Sequence, residues 1–178
     1  MVTTDGPFEI GTPAWQVSFQ RRVRELDKPE RSPNRGILPY FLIGSEFASG
    51  LVLVPLADEE SLWISVTCHP SHVVRAETPD GDPINVSRLA LSQDVVLLSL
   101  EFLCRRGQPH PIDCTTVRIA RTSHGPPSVS LTVTVAVSGV ETRLRVCLAT
   151  PAVYSHLSGR PAPAPSTPSD AYGGWRLM

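Results

Sequence analysis

A histidine and an aspartate occupy positions along the chain that suit nucleophilic catalysis. His69 closes the apolar run 63–68, and Asp94 opens the apolar run 95–100. In a catalytic triad a neutral imidazole accepts the proton of the nucleophile, while a carboxylate fixes the imidazole tautomer and stabilises the imidazolium that forms. The two residues are therefore two thirds of a triad. No nucleophile in a glycine-rich turn is evident with comparable clarity.

The elements that would position these residues are strands. Apolar and β-branched runs separated by turn signals predict a mainly β protein. Asp80-Gly81-Asp82-Pro83 and Ser138-Gly139 each predict a hairpin turn between antiparallel neighbours. The predicted strands are Leu38–Ile43, Gly50–Pro55, Leu62–Thr67, His72–Glu77, Ile84–Leu89, Val95–Leu100, Thr116–Ala120, Val129–Val137 and Thr142–Leu148.

Residues outside this β region differ in character. The spacing of apolar residues over 14–27 predicts a short amphipathic N-terminal helix, and the proline and charge of 28–35 predict a surface linker. The proline-rich segment from Ser158 onward cannot supply ladder hydrogen bonds. The sequence therefore predicts an N-terminal helix and linker over 1–35, a β domain over 36–157, and a flexible tail over 158–178.

Four short segments carry a resemblance to a known family. Ala48–Val52, Val66–His69, Asp80–Gly81 and Asp94–Leu98 follow one another in the order found in the first β-barrel of trypsin-like (chymotrypsin-fold) serine proteases, especially the compact heat-shock and viral forms. The resemblance covers residues 44–101. It implies antiparallel β-barrels, with a first barrel over 36–101 and a reduced second half over 102–157.

The resemblance also implies site residues. His69 would be the general base, and Asp94 would be its carboxylate. The family places its histidine three residues after a threonine, whereas His69 lies two residues after Thr67 and His72 lies five after it, so His72 stays open as the alternative base. The implied activity is that of a serine endopeptidase, which cleaves peptide bonds through an acyl-enzyme.

The nucleophile is where the chain departs from the family. The hexapeptide Gly-Asp-Ser-Gly-Gly-Pro, which supplies the oxyanion hole, is absent. Ser158 and Ser123 lie in turns that keep a serine, one glycine and a proline, so Ser158 is the candidate nucleophile and Ser123 the alternative. The missing turn favours two further interpretations: a degenerate, inactive relative of the proteases, or a non-catalytic β-sandwich or β-barrel that serves as a binding or assembly module.

Metal and cofactor chemistry is not indicated by the motifs. The spacing of Cys104, His110 and Cys114 is not one of the spacings common among zinc ligands. No phosphate loop or dinucleotide fingerprint occurs. We therefore expect no metal and no cofactor, and we expect buried, inert thiols. The candidate zinc ligands form two groups along the sequence: Cys68, His69 and His72, and then Cys104, His110 and Cys114.

Charge and hydropathy limit the partners. Sixteen basic residues nearly balance 17 acidic ones, which argues against a nucleic-acid partner. The N-terminus lacks the features of a signal peptide, and no apolar run approaches the roughly 20 residues that span a bilayer. The sequence predicts a soluble, cytoplasmic protein with a protein or peptide substrate or partner and no membrane contact.

Overall fold

The computed structural model describes residues 9–23, 34–44, 51–57, 60–103, 115–116, 119–120 and 127–164. These residues form strands and one short helix. The elements are β1 (Glu9–Thr12), β2 (Trp15–Val23), β3 (Asn34–Leu38), β4 (Phe41–Ile43), β5 (Leu51–Pro55), β6 (Glu60–Cys68), β7 (Val73–Glu77), β8 (Ser87–Ala90), β9 (Val96–Leu103), β10 (Thr115–Thr116), β11 (Ile119–Ala120), β12 (Leu131–Val137), β13 (Val140–Ala149) and α1 (Pro151–Ser158).

The strands divide between two sheets. The first sheet has the order β1-β2-β6-β9-β10, with β3 also paired to β2 and β8 also paired to β9. The second sheet has the order β4-β5-β13-β12-β7, with β11 also paired to β13. Most pairs are antiparallel, but β5 and β11 run parallel to β13, and β10 runs parallel to β9. The predicted mainly β fold class is confirmed.

One apolar layer joins the two sheets. Alternate residues of the central strands are fully buried and pack in a single cluster that draws on both sheets, as in a β-sandwich. The members that lie on the central strands include Val17, Phe19, Ile64 and Val66 from the first sheet and Val133, Val135, Leu144 and Val146 from the second. The arrangement is thus the sandwich alternative, and no closed barrel forms among the described residues. The consecutive strands β5 and β6 lie in different sheets.

The predicted N-terminal helix is wrong. Residues 15–23 form strand β2, which pairs with β6 along its whole length. The reason is that successive side chains lie on opposite faces of the sheet: Trp15, Val17 and Phe19 pack in the core cluster, whereas Gln16 is exposed and Ser18 bonds to the Ser65 hydroxyl on the other face. That alternation has the period of a strand and not of a helix. The segment therefore belongs to the first sheet, and residues 24–27 lie outside the described part.

The two predicted turns have different outcomes. Ser138 and Gly139, with φ of 49° and 83°, join β12 and β13 as a two-residue hairpin, as predicted. Gly81 also lies in a turn, where its N–H donates to the Thr78 carbonyl oxygen at 3.0 Å. The turn reverses the chain into a short antiparallel contact, in which Glu77 pairs with Pro83 and the Ile84 N–H donates to the Ala76 carbonyl oxygen at 2.8 Å. Strands β7 and β8 do not pair with each other, however, because β7 joins the second sheet and β8 the first.

Helix α1 covers part of the outer face of the second sheet. It packs on β5 and β13, where it buries a second, smaller apolar cluster made of Leu51, Leu53, Cys147, Ala149, Val153 and Tyr154. The helix ends at Gly159, which has a φ of 67° and whose N–H donates to the Ser155 carbonyl oxygen at 3.0 Å. A left-handed residue at this position is readily supplied by glycine. Among the described residues, no helix is long and apolar enough to cross a membrane.

The β1–β2 hairpin requires glycine at position 11. A methyl group there would overlap the carbonyl oxygen of Trp15, a backbone atom that cannot move aside. We expect Gly11→Ala to lower the free energy of unfolding by about 1 to 3 kcal/mol, measured by urea denaturation. The control is Gly139→Ala, where the added methyl meets nothing and only the positive φ costs about 1 kcal/mol. A Gly11→Ala protein as stable as the parent would contradict the hairpin packing.

Candidate functional site

The structure brings His69 and Asp94 to the same end of the first sheet. Strand β6 ends at Cys68 and β9 begins at Val96, and these two residues are paired across the sheet. His69 follows β6 directly, and Asp94 lies in the turn that precedes β9. The two predicted triad residues therefore lie in neighbouring loops.

The side chains of these two residues do not make a catalytic pair. The Nδ1 atom of His69 lies 2.7 Å from the Ser71 hydroxyl, and the backbone N–H of Asp94 donates to the Ser92 hydroxyl at 3.3 Å. Within the described part of the chain, no hydrogen bond or ion pair joins His69 to Asp94, and both residues are exposed. A triad carboxylate works when buried against the imidazole. Here the histidine is oriented by a neighbouring serine.

His72, the alternative base, lies in the same turn as His69. Its backbone N–H donates to the His69 carbonyl oxygen at 3.0 Å, and the two rings are 5.7 Å apart with an interplanar angle of 55°. The Nδ1 atom of His72 is buried and has no hydrogen-bond partner among the described residues. In this part of the chain, no carboxylate therefore holds either imidazole.

Ser158, the predicted nucleophile, belongs to a different part of the molecule. It is the last residue of α1, which packs on β5 and β13 through the outer face of the second sheet, away from the first sheet. The Ser158 hydroxyl accepts the Arg160 N–H at 3.1 Å. It also lies beside the Tyr154 hydroxyl, whose pKa is raised by burial and lowered by Arg160 and by a hydrogen bond with Ser158. The described contacts do not bring Ser158 to His69, and Ser123 lies outside the described residues.

The described thiols, Cys68 and Cys147, are buried. Burial raises the pKa of Cys68, although the positive charge of Arg88 lowers it in part, and burial raises the pKa of Cys147 to about 11. A thiol with a raised pKa is a poor nucleophile and a poor metal ligand at neutral pH. Among the described residues, no group of three or more His, Cys, Asp or Glu side chains could hold a metal ion. The second group considered, Cys104, His110 and Cys114, lies outside the described residues.

No protein-family model, curated protein or solved structure matches this chain. We therefore infer function from the geometry of the described residues. The likeness to trypsin-like proteases in the order of four segments stays a prediction.

A surface that the sequence analysis missed lies at the edge of the first sheet. We define the β8 edge as residues Ser87–Leu91, all of which are exposed. Leu89 and Leu91 are 58% and 44% accessible, which places them among the large apolar side chains of the described residues that face solvent. The sequence predicts a strand here, but a strand pattern alone cannot reveal which strand ends a sheet, because that depends on the pairing of the others.

The buried thiol of Cys147 predicts a pH dependence of stability. In the unfolded chain this thiol ionises near pH 9.0, whereas in the folded protein its pKa is about 11. Between these values the unfolded chain binds fewer protons, so the free energy of unfolding falls as the pH rises from about 9 to about 11, by up to about 1 kcal/mol per pH unit. We expect urea denaturation of Cys147→Ala to show a smaller fall over this range. Identical pH slopes for variant and parent would contradict the burial of this thiol.

Proposed function

We propose that the chain is a non-catalytic β-sandwich module that assembles with a second copy of itself, strand to strand, through the β8 edge. One observation carries this proposal: an exposed edge strand presents outward-facing backbone groups beside exposed leucines. An edge of this kind is a template for another strand. The positions of His69, Asp94 and Ser158 support the non-catalytic part, because the described contacts do not unite them.

The backbone direction of β8 follows from its pairing with β9. The Leu91 N–H donates to the Val95 carbonyl oxygen at 3.0 Å, in line with the register that pairs Leu89 with Leu97. Hydrogen-bonded and non-hydrogen-bonded pairs alternate in an antiparallel ladder. The N–H and C=O groups of Leu89 therefore face β9, and those of Arg88 and Ala90 face away from the sheet.

The one charged side chain of the β8 edge, that of Arg88, does not cover the open side of the strand. Natural edges are often protected by a charge that lies over the open strand. The Arg88 guanidinium instead donates to the Pro70 carbonyl oxygen at 3.1 Å, and its charge acts on Cys68. Both residues lie at the end of β6, on the far side of β9 from β8. The Arg88 side chain thus extends back over its own sheet and leaves the edge open.

The β8 edge is complementary to itself. A two-fold axis at Leu89 would place Arg88 opposite Ala90 of the second copy, so that their outward N–H and C=O groups bond to each other. The same register sets Leu89 against Leu89 of the second copy and avoids placing like charges directly opposite. Pairing would thus join the two first sheets into one continuous sheet and would cover apolar surface on both copies.

Sedimentation equilibrium tests the self-association of the full chain. Because a single strand pair makes a small interface, we expect a micromolar dissociation constant and a shift from monomer to dimer between about 5 and 500 µM. Ala90→Pro should stay monomeric, since it removes an outward N–H that β9 does not use. Leu89→Ser should also weaken the dimer, because it removes the apolar contact at the axis.

The matched control for Leu89→Ser is Val140→Ser, which removes an apolar side chain that is 69% accessible at the β12–β13 hairpin. This variant should dimerise like the parent. A parent chain that is monomeric at every concentration would overturn the proposal. So would dimers of Ala90→Pro or Leu89→Ser with the parent's dissociation constant.

The predicted serine endopeptidase is the rival function, and the shared location of His69 and Asp94 at one end of the first sheet is the observation in its favour. A fluorophosphonate probe distinguishes the two functions, because it labels only an activated serine. We expect no labelling of the folded chain. Labelling that is abolished by Ser158→Ala and by His69→Ala would establish the enzyme and refute the non-catalytic module.

A further inference from the structure

The outer face of the second sheet carries a cluster of arginines. We define the arginine face as Arg75, Arg143 and Arg145 together with Thr132 and Thr134. The residues between them, such as Val133 and Leu144, point into the core, so these five point outward. Helix α1 covers only the part of this sheet formed by β5 and the end of β13, and the arginine face lies beyond it on β7, β12 and the start of β13.

The strand register sets the spacing of the arginines. Thr134 pairs with Arg75 on one side and with Arg143 on the other, and Thr132 pairs with Arg145. Thr134 is only 8% accessible although it faces outward, which indicates that the flanking arginine side chains lie over it. Arg143 and Arg145 are alternate residues of one strand, so their backbone positions are about 6.8 Å apart.

A carboxylate of the same chain already occupies part of this face. One oxygen of Glu141 accepts from the Arg75 Nη2 at 2.7 Å, and the other accepts from the Arg143 Nη2 at 3.1 Å. Glu141 pairs with Ala136, whose small side chain leaves room above the sheet. The two guanidinium groups therefore converge on one planar oxyanion, an arrangement that guanidinium forks favour.

Arg145 extends this arrangement. It is exposed and makes no hydrogen bond or ion pair within the described structure. Across the sheet, Thr132 separates it from Glu77. Three arginines against the two glutamates, Glu77 and Glu141, leave a local excess of positive charge (3 − 2 = +1) on a chain whose net charge is −1.

We infer that the arginine face binds an extended acidic segment of a partner protein. Alternate side chains of an extended peptide repeat every 6.8 Å or so, which matches the spacing of Arg143 and Arg145. The observed carboxylate between Arg75 and Arg143 shows that the face accepts that group. The described residues of this face include no aromatic side chain to stack on bases, which favours a carboxylate peptide over a single-stranded nucleic acid. This binding surface is independent of the β8 edge.

Fluorescence anisotropy with a labelled decapeptide of alternating glutamate and serine tests this inference on the full chain. We expect saturable binding that weakens as salt rises. Arg145→Ala should weaken it about threefold to fivefold without a change in Tm, because Arg145 has no partner to lose. Glu141→Gln should tighten it about threefold, because the competing carboxylate is gone.

Two control variants distinguish peptide binding at the arginine face from a general effect of positive charge and from self-assembly. Arg88→Ala removes the same charge from the first sheet and should bind like the parent, and Ala90→Pro should bind the peptide normally even where it abolishes the dimer. The inference is overturned if Arg145→Ala binds like the parent, if Arg88→Ala weakens binding equally, or if Glu141→Gln leaves binding unchanged. It is also overturned if an oligouridylate of equal length binds more tightly than the peptide.

Discussion

The structure depends on one apolar layer between two sheets. Strand β6 is the centre of the first sheet, paired to β2 and β9, and its alternate residues Leu62, Ile64 and Val66 have no accessible surface. Strands β12 and β13 present Val133, Val135 and Val146 from the other side. Because side chains alternate across a strand, the residues that fill this layer dictate which residues must face outward. The arginine face and the α1 contact both follow from that alternation, whereas the β8 edge follows from the strand order.

The part of the fold that could be predicted from sequence is the part in which a local pattern decides the structure. The runs at β5, β6, β7 and β9 and the Ser138-Gly139 hairpin are near their predicted positions because their alternation and turn chemistry are local. The predicted helix over 14–27 is wrong because the apolar residues at 15, 17, 19 and 23 fit the period of a helix and that of a strand. Only the pairing with β6 selects the strand. The assignment of strands to sheets depends on long-range pairing, which a single sequence does not contain.

The candidate site shows the same division between local and long-range information. Sequence placed His69 after one strand and Asp94 before another, and register puts both at one end of the first sheet. The sequence does not indicate that the Ser71 hydroxyl forms a hydrogen bond with the His69 Nδ1 atom. Nor does it indicate that Ser158 ends a helix that packs on the other sheet. The arginine face was detectable in principle from sequence, because Thr132 and Thr134 occupy alternate positions of one strand and Arg143 and Arg145 occupy alternate positions of the next. That signal acquires meaning only once the strands are known to be neighbours.

The outward backbone groups of β8 are those of Arg88 and Ala90, and we propose that a second copy of the chain pairs with them. Residue-resolved hydrogen exchange tests this most directly, because an amide that gains a ladder hydrogen bond exchanges more slowly. The Leu89 amide, which faces β9, should be protected at every protein concentration. The Arg88 and Ala90 amides should exchange freely in dilute protein and become protected as the concentration rises. Exchange of these two amides that does not change with concentration would contradict the account.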